Sequence, residues 1–132
     1  MPIEIPETIK QFLSEKAYGH VVTRNPDGNP QVSMVWMDVD GNDVLFNTAD
    51  GRVKPRNLRN DPRIIISVQS PADPQVHAVF HGTATVTEEG AEQHIDKLAK
   101  RFLGMDEYPY RAPDEKRLLV RIQVDRIGGF GL

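Results

Sequence analysis

Two turn signals, Asn25-Pro26-Asp27-Gly28 and Asp40-Gly41-Asn42-Asp43, punctuate the first half of the chain and leave only short runs between them. Clusters of Asn, Pro, Asp and Gly close tight turns, and between alternating apolar runs they mark antiparallel hairpins. The flanking runs fit that reading. Tyr18 to Arg24 carries Val21 and Val22, and Pro30 to Val39 sets Val32, Met34 and Trp36 against Gln31, Ser33, Val35 and Met37. Val44 to Thr48 follows as a third strand. Side chains alternate across a strand, so each run offers one face to a core.

Later segments extend the pattern. Arg63 to Ser70 is apolar on both faces and reads as a central strand. Val76 to Thr87 places Thr83, Thr85 and Thr87 on one face with Val79 and His81. Arg117 to Ile127 alternates Leu118, Val120, Ile122 and Val124 against Leu119, Arg121, Gln123 and Asp125, and Gly128 to Leu132 reads as a flexible tail. Helices are predicted over Pro6 to Lys16, over Pro55 to about Asn60, and from a Thr87 cap to Gly104. In the last of these Ile95, Leu98, Ala99, Phe102 and Leu103 recur at helical spacing. With no strand–helix–strand rhythm, the expected fold is mainly β (α+β). It is a six-stranded antiparallel barrel with flanking helices, in a single domain over residues 1–132.

Several kinds of chemistry are not supported. The chain has no cysteine, so disulfides and thiol catalysis are excluded. Its net charge of −3 argues against a general nucleic-acid binder. Met1 to Glu7 lacks a leader pattern and no apolar run is long enough for a bilayer, so a cytoplasmic, membrane-free protein is expected. No serine sits in a Gly-x-Ser-x-Gly setting and no carboxylate pair stands out, which leaves the catalytic residue unknown. His77 and His81 share a strand face about 13 Å apart, too far to share one metal. With His20 and His94 they read as residues of half-exposed faces, and no metal is expected.

The local charge departs from this background. From Arg52 to Arg63 the chain carries Arg52, Lys54, Arg56, Arg59 and Arg63 against Asp61 alone, a net +4 that leaves −7 for the rest. Pro55 suits a helix start, entered from an extended Arg52-Val53-Lys54. A helix start carries free N–H groups and partial positive charge, so cations gathered there call for an anion. An anion site without a reactive side chain suggests that a cofactor carries the chemistry.

Several segments together resemble a known family. They are Gly28 to Trp36, Phe46 to Ala49, Arg52 to Arg63, Gln75-Val76 and Gly82-Thr83-Ala84. In this order they resemble the split β-barrel flavin and deazaflavin oxidoreductases, the pyridoxamine-phosphate-oxidase-like superfamily. The Lys54-x-Arg56-Asn57-Leu58-Arg59 run is most similar to the branch that uses coenzyme F420, a 5-deazaflavin. The resemblance implies an FMN-binding type of split barrel that forms a homodimer, with cofactor sites between the subunits. It implies coenzyme F420 as cofactor, with FMN as the alternative.

By the same resemblance Arg52 and Lys54 hold the cofactor phosphate, with Arg56 and Asn57 nearby. Asn47 and Thr48 lie along the ring, Gln31, Ser33 and Val35 or Trp36 back it, and Gln75 reaches it from a loop. Arg56 and Arg59 suit the poly-glutamate tail of the deazaflavin. The implied activity is hydride transfer to an unsaturated small molecule, with solvent, Tyr108 or Tyr110 as a proton source. A non-catalytic flavin or deazaflavin carrier is the rival from another class, and a plain interaction domain is a third reading. The family's longer N-terminal part and Arg/His-rich C-terminal segment have no counterpart here, which argues against pyridoxamine phosphate as substrate.

Overall fold

The structure is a computed structural model that describes residues 2–132; Met1, the first residue of the stretch read for a leader, lies outside the described residues. In chain order the elements are α1 (Glu7–Leu13), β1 (Tyr18–Arg24), β2 (Pro30–Trp36), β3 (Asp38–Asp40) and β4 (Asp43–Ala49). They continue with α2 (Val53–Asn60), β5 (Arg63–Gln69), β6 (His77–Thr87), α3 (Ala91–Leu103) and β7 (Arg117–Phe130). The strands form one antiparallel sheet in the order β2-β1-β5-β6-β7-β4-β3.

That order dictates the shape. β2 and β3 lie at opposite ends of the sheet yet are joined by one residue, Met37. The sheet must therefore curl until its ends approach. This also corrects the strand count. The run Pro30 to Val39, expected as one strand, is two, because Met37 leaves the β1 ladder and its N–H bonds to Ala17 O at 3.0 Å. Seven strands result in place of six. Trp36 is thereby the last residue of β2, whose only ladder partner is β1.

Inward-facing residues fill the curled sheet. Val21, Phe46, Ile66, Val68, Val120, Ile122 and Val124 form its core with Phe80 and Met37, joined by Ile9, Phe12 and Leu13 of α1 and Leu58 of α2. The strand expected to be apolar on both faces, β5, buries only one: Ile64, Ile66 and Val68 are inside, while Ile65 is 38% exposed. α3 lies outside the barrel across β4 and β7. Its Ile95, Leu98 and Phe102 form a second cluster with Trp36 and Tyr108, and the Trp36 and Phe102 rings stack at 4.9 Å. Leu103, expected in the same stripe, is exposed. No helix among the described residues is long and apolar enough to cross a membrane.

Element ends differ from expectation for local reasons. α1 stops at Leu13, three residues before the expected Lys16. α2 starts at Val53, so Lys54 is helical and Pro55 is the third helical residue. A proline there loses no bond, because the first N–H groups of a helix have no intrahelical acceptor. Thr87 ends β6 and does not cap α3; the turn is made by Gly90 at φ 77°, a left-handed geometry that favours glycine. The expected tail is ordered as strand: Gly128, Gly129 and Phe130 pair with Val79, Ala78 and His77.

At the His81/Gly82 register shift β6 comes close to β7. A Cβ on Gly82 would lie 2.2 Å from Gln123 O, a backbone atom that cannot turn aside. Gly82→Ala should therefore destabilise the fold by roughly 3 kcal/mol, the upper range for overpacking. Urea denaturation checks it, and a loss below about 0.5 kcal/mol would mean that the two strands are not held this closely.

Candidate anion and cofactor site

The site is built beside the unpaired edge of β2. β4 runs opposite with Asn47, α2 begins below, and α3 and the loop before β7 close the far side. A cavity of about 140 Å³ results. Asn47, Arg52, Lys54 and Arg117 line its polar side, and Trp36, Leu98 and Tyr108 its apolar side. As an end strand, β2 presents one row of backbone N–H and C=O groups outside any ladder.

Lys54 is the anomaly here. It is only 9% exposed and forms no hydrogen bond or ion pair among the described residues. Burial, then the nearby Arg52 and Arg117, push its ammonium pKa below the ordinary lysine value. A buried cation beside two others is unfavourable unless an anion joins them. The other cations of the basic segment are already partnered. Arg59 meets Asp50 at 3.0 Å, Arg63 meets Asp61 at 2.7 Å, and Arg52 meets Glu115 at 3.4 Å. Arg56 donates to Asn57 Oδ1 at 3.1 Å. Exposed pairs of this sort contribute little. Arg52 also lines a second, open groove of about 650 Å³ together with Arg56 and Arg59. The two spaces therefore share a cationic wall.

The structure gathers some of the expected site residues and separates others. Val35, Trp36, Asn47, Arg52 and Lys54 line the cavity, and Arg56 the adjoining groove. Gln31 and Ser33 face inward opposite Thr23 and Val21, away from the cavity lining. Ser33 Oγ and Thr48 Oγ1 are buried without a hydrogen-bond partner. Asn57 is fully buried, and its amide donates to Thr23 Oγ1 and Asn25 Oδ1, tying α2 to β1. Gln75 lies in the exposed β5–β6 loop, with its N–H on Asp73 Oδ1, and lines neither space.

Three residues central to the geometry escaped the sequence reading. Arg117, the first residue of β7, is 3% exposed and donates from Nε to Asn47 Oδ1 at 2.8 Å. Its guanidinium lies 5.0 Å from the Tyr108 ring centre. Glu115 Oε1 is 3.1 Å from Arg117 Nη1 but poorly aligned, so Nη1 stays buried without a hydrogen bond. His94, read as half-exposed, is in fact buried, with Nδ1 3.2 Å from Asn47 Nδ2 and Nε2 3.0 Å from Asp38 Oδ2. It lies four residues before Leu98, on the apolar stripe of α3, and that spacing was the available signal. Asp38, 1% exposed, also meets Arg101 at 3.0 Å and Lys97 at 3.4 Å. Burial pushes the Asp38 carboxyl pKa up, but His94, the Val39 N–H, Arg101 and Lys97 together hold it well below the usual range.

Comparison with known proteins gives a consistent picture. The sequence matches the family model described as pyridoxamine 5'-phosphate oxidase over residues 5–130. A solved F420 reductase superposes with a TM-score of 0.79 and 26% identity, covering 94% of this chain and 98% of its own. A conserved hypothetical protein from Mycobacterium tuberculosis gives 0.71 at 22% identity, over 96% of this chain and 84% of its own. A pyridoxamine 5'-phosphate oxidase-related, FMN-binding protein from Nostoc punctiforme gives 0.64 at 16% identity, over 83% and 71%. The last two show the fold.

A depressed carboxyl pKa in the folded state means that Asp38 stabilises the fold above the ordinary carboxylate range. That contribution fades as pH falls through the range toward the folded-state value. Asp38→Asn should cost roughly 2–3 kcal/mol at neutral pH, the scale of hydrogen bonds to a charged group. The gap from wild type should narrow below about pH 4, where the unfolded-state carboxyl takes up its proton. Urea denaturation across pH measures it; an unchanging gap would show that the Asp38 charge is not what stabilises.

Proposed function

This chain belongs to the pyridoxamine 5'-phosphate oxidase family, and on that premise we propose that it is a cofactor-dependent oxidoreductase. The cofactor is a flavin-type ring bearing a phosphate: coenzyme F420 by preference, FMN as the alternative. The reaction is hydride transfer between that ring and an unsaturated small molecule. The observation that carries this reading is Lys54, a buried cation without a counter-charge beside Arg52 and Arg117.

The residues fit such a group. Lys54 and Arg117 supply positive charge for a phosphate, Lys54 as a point charge and Arg117 through the part of its guanidinium not taken by Asn47 and Glu115. The free edge of β2 at Met34 to Trp36 offers backbone groups to the rim of a flat ring. Leu98, Trp36 and Tyr108 keep water from the other side. When bound, the ring supplies the hydride chemistry; the chain itself contributes binding, orientation and a dry wall. Preference for F420 rests on the F420 reductase at 26% identity and on the groove of Arg52, Arg56 and Arg59. That groove is larger than one phosphate needs and suits a further anionic tail.

The same reading includes a homodimer. Val32, Met34 and Ile65 are exposed apolar residues on the outer face of the sheet, and cross-strand pairing sets Val22 between Val32 and Ile65. Met34 also lines the cavity. A second copy seated on this face would cover apolar surface and add a wall to the cofactor site.

The test is a fluorescence titration with coenzyme F420 and, separately, with FMN. Lys54→Met should weaken binding of the preferred cofactor by about 10- to 100-fold, the scale of a charge-assisted contact. The same change should leave the melting temperature of the cofactor-free protein equal or higher, because it removes an uncompensated buried charge. Unchanged affinity would remove Lys54 from the site, and binding of neither cofactor would sink the oxidoreductase reading. Oxidation of the reduced cofactor by an added acceptor separates an enzyme from a carrier.

A further inference from the structure

Beneath the anion site runs a chain of side chains whose polarity is fixed by its two ends. Arg117 can only donate, so the Asn47 atom 2.8 Å from its Nε is the amide oxygen. Ala91 O can only accept, so the Asn47 atom 2.9 Å from it is the amide nitrogen. The second N–H of that nitrogen points at His94 Nδ1, 3.2 Å away, which must accept it. The neutral imidazole then carries its proton on Nε2 and donates it to Asp38 Oδ2 at 3.0 Å. Every bond runs one way, from Arg117 through Asn47 and His94 to Asp38.

We propose that His94 is a positioning residue of the anion site: as the Nε2–H tautomer held by Asp38, it locks the Asn47 amide, and Asn47 holds Arg117 by Nε so that the rest of the guanidinium serves the cavity. The role rests on reading that cavity as the cofactor-phosphate site. A second proton on His94 sets its Nδ1–H against an Asn47 N–H across 3.2 Å. Turning the amide over would let its oxygen accept from Nδ1–H, but only by creating two new mismatches. Its oxygen would then face Ala91 O, and its NH₂ group would face the Arg117 Nε–H. Charging His94 therefore dislodges Asn47 and frees Arg117.

The charges around His94 come from each element packed on it. Asp38 of β3 meets its Nε2, Lys97 and Arg101 of α3 pair with Asp38, and Arg117 of β7 lies just beyond Asn47, paired in turn with Glu115. The coupling links the protonation of a histidine outside the cavity to the hold on an anion within it.

The test uses the full-length chain and two variants. His94→Gln keeps an acceptor and a donor but cannot titrate, and His94→Leu has neither. ¹⁵N NMR of the cofactor-free protein over about pH 5 to 8 reads the His94 ring, the Asn47 NH₂ and the Arg117 Nε–H. Expected are the Nε2–H tautomer near neutrality, Asn47 and Arg117 signals that move together with any His94 titration, and an Arg117 Nε–H that stays protected in His94→Gln but exchanges rapidly in His94→Leu. An Nδ1–H tautomer, or an Arg117 signal equally protected in both variants, overturns the proposal. In FMN titrations His94→Leu should lose about tenfold in affinity and His94→Gln less than about threefold. Wild type should weaken with acid more steeply than His94→Gln; the phosphate's own ionisation cancels in that comparison. Identical pH profiles count against the role. Failure of both FMN and F420 to bind would overturn the cofactor reading, while the NMR result decides the positioning role.

Discussion

A single residue connects the two ends of the sheet, and most of the molecule follows from that constraint. Met37 joins β2 to β3 across the whole hydrogen-bonded order, so the sheet has to curl. It is completely buried, and it packs where a Cβ on Gly19 would lie 2.4 Å from its sulfur, so a side chain on β1 at that point would force Met37 to shift. Its N–H is held by Ala17 O, and its carbonyl accepts from Arg101 of α3 at 3.3 Å. The next residue, Asp38, is the buried carboxylate that anchors His94, Arg101 and Lys97. The crossing thus frees the edge of β2, opens the cavity beside it and places the anchor that fixes α3 over that cavity.

Charge in the basic segment sorts by burial rather than by residue type. Arg59 and Arg63 are themselves exposed and hold carboxylates at the surface, and Arg56 is bonded to the amide beside it. Such contacts in high dielectric do little beyond orienting the side chains. Lys54 differs because the start of α2 is pressed against the barrel and takes its ammonium out of water beside Arg52 and Arg117, which share Glu115 and leave Lys54 without an ion pair among the described residues. The same low dielectric that makes an unpaired cation costly strengthens its hold on an anion.

Much of the architecture could be read locally. Alternation placed Leu118, Val120, Ile122 and Val124 inside, and they are. The turn signals between Arg24 and Pro30 and between Asp40 and Asp43 close hairpins. Gly104 ends α3 in left-handed geometry. The failures share one cause, a distant partner overriding a local preference. Gly128 to Phe130 read as a tail because glycines disfavour strands, yet β6 is long enough to pair with them. Lys54 read as extended because it precedes a proline, yet packing made it helical.

Sequence by itself determined the antiparallel β class, the faces of β7 and the presence of a cation-rich helix start, because each depends on residues close together in the chain; the likeness to a cofactor-binding family came from the order of several such short segments. Tertiary structure alone decided which cation is left without a partner and what stands around it. Asn47, His94 and Arg117 come from three segments that only the curled sheet and the packing of α3 bring within hydrogen-bonding distance. Burial is a property of that assembly, and burial is what sets a lysine, a histidine and an arginine of ordinary type apart as parts of one candidate site.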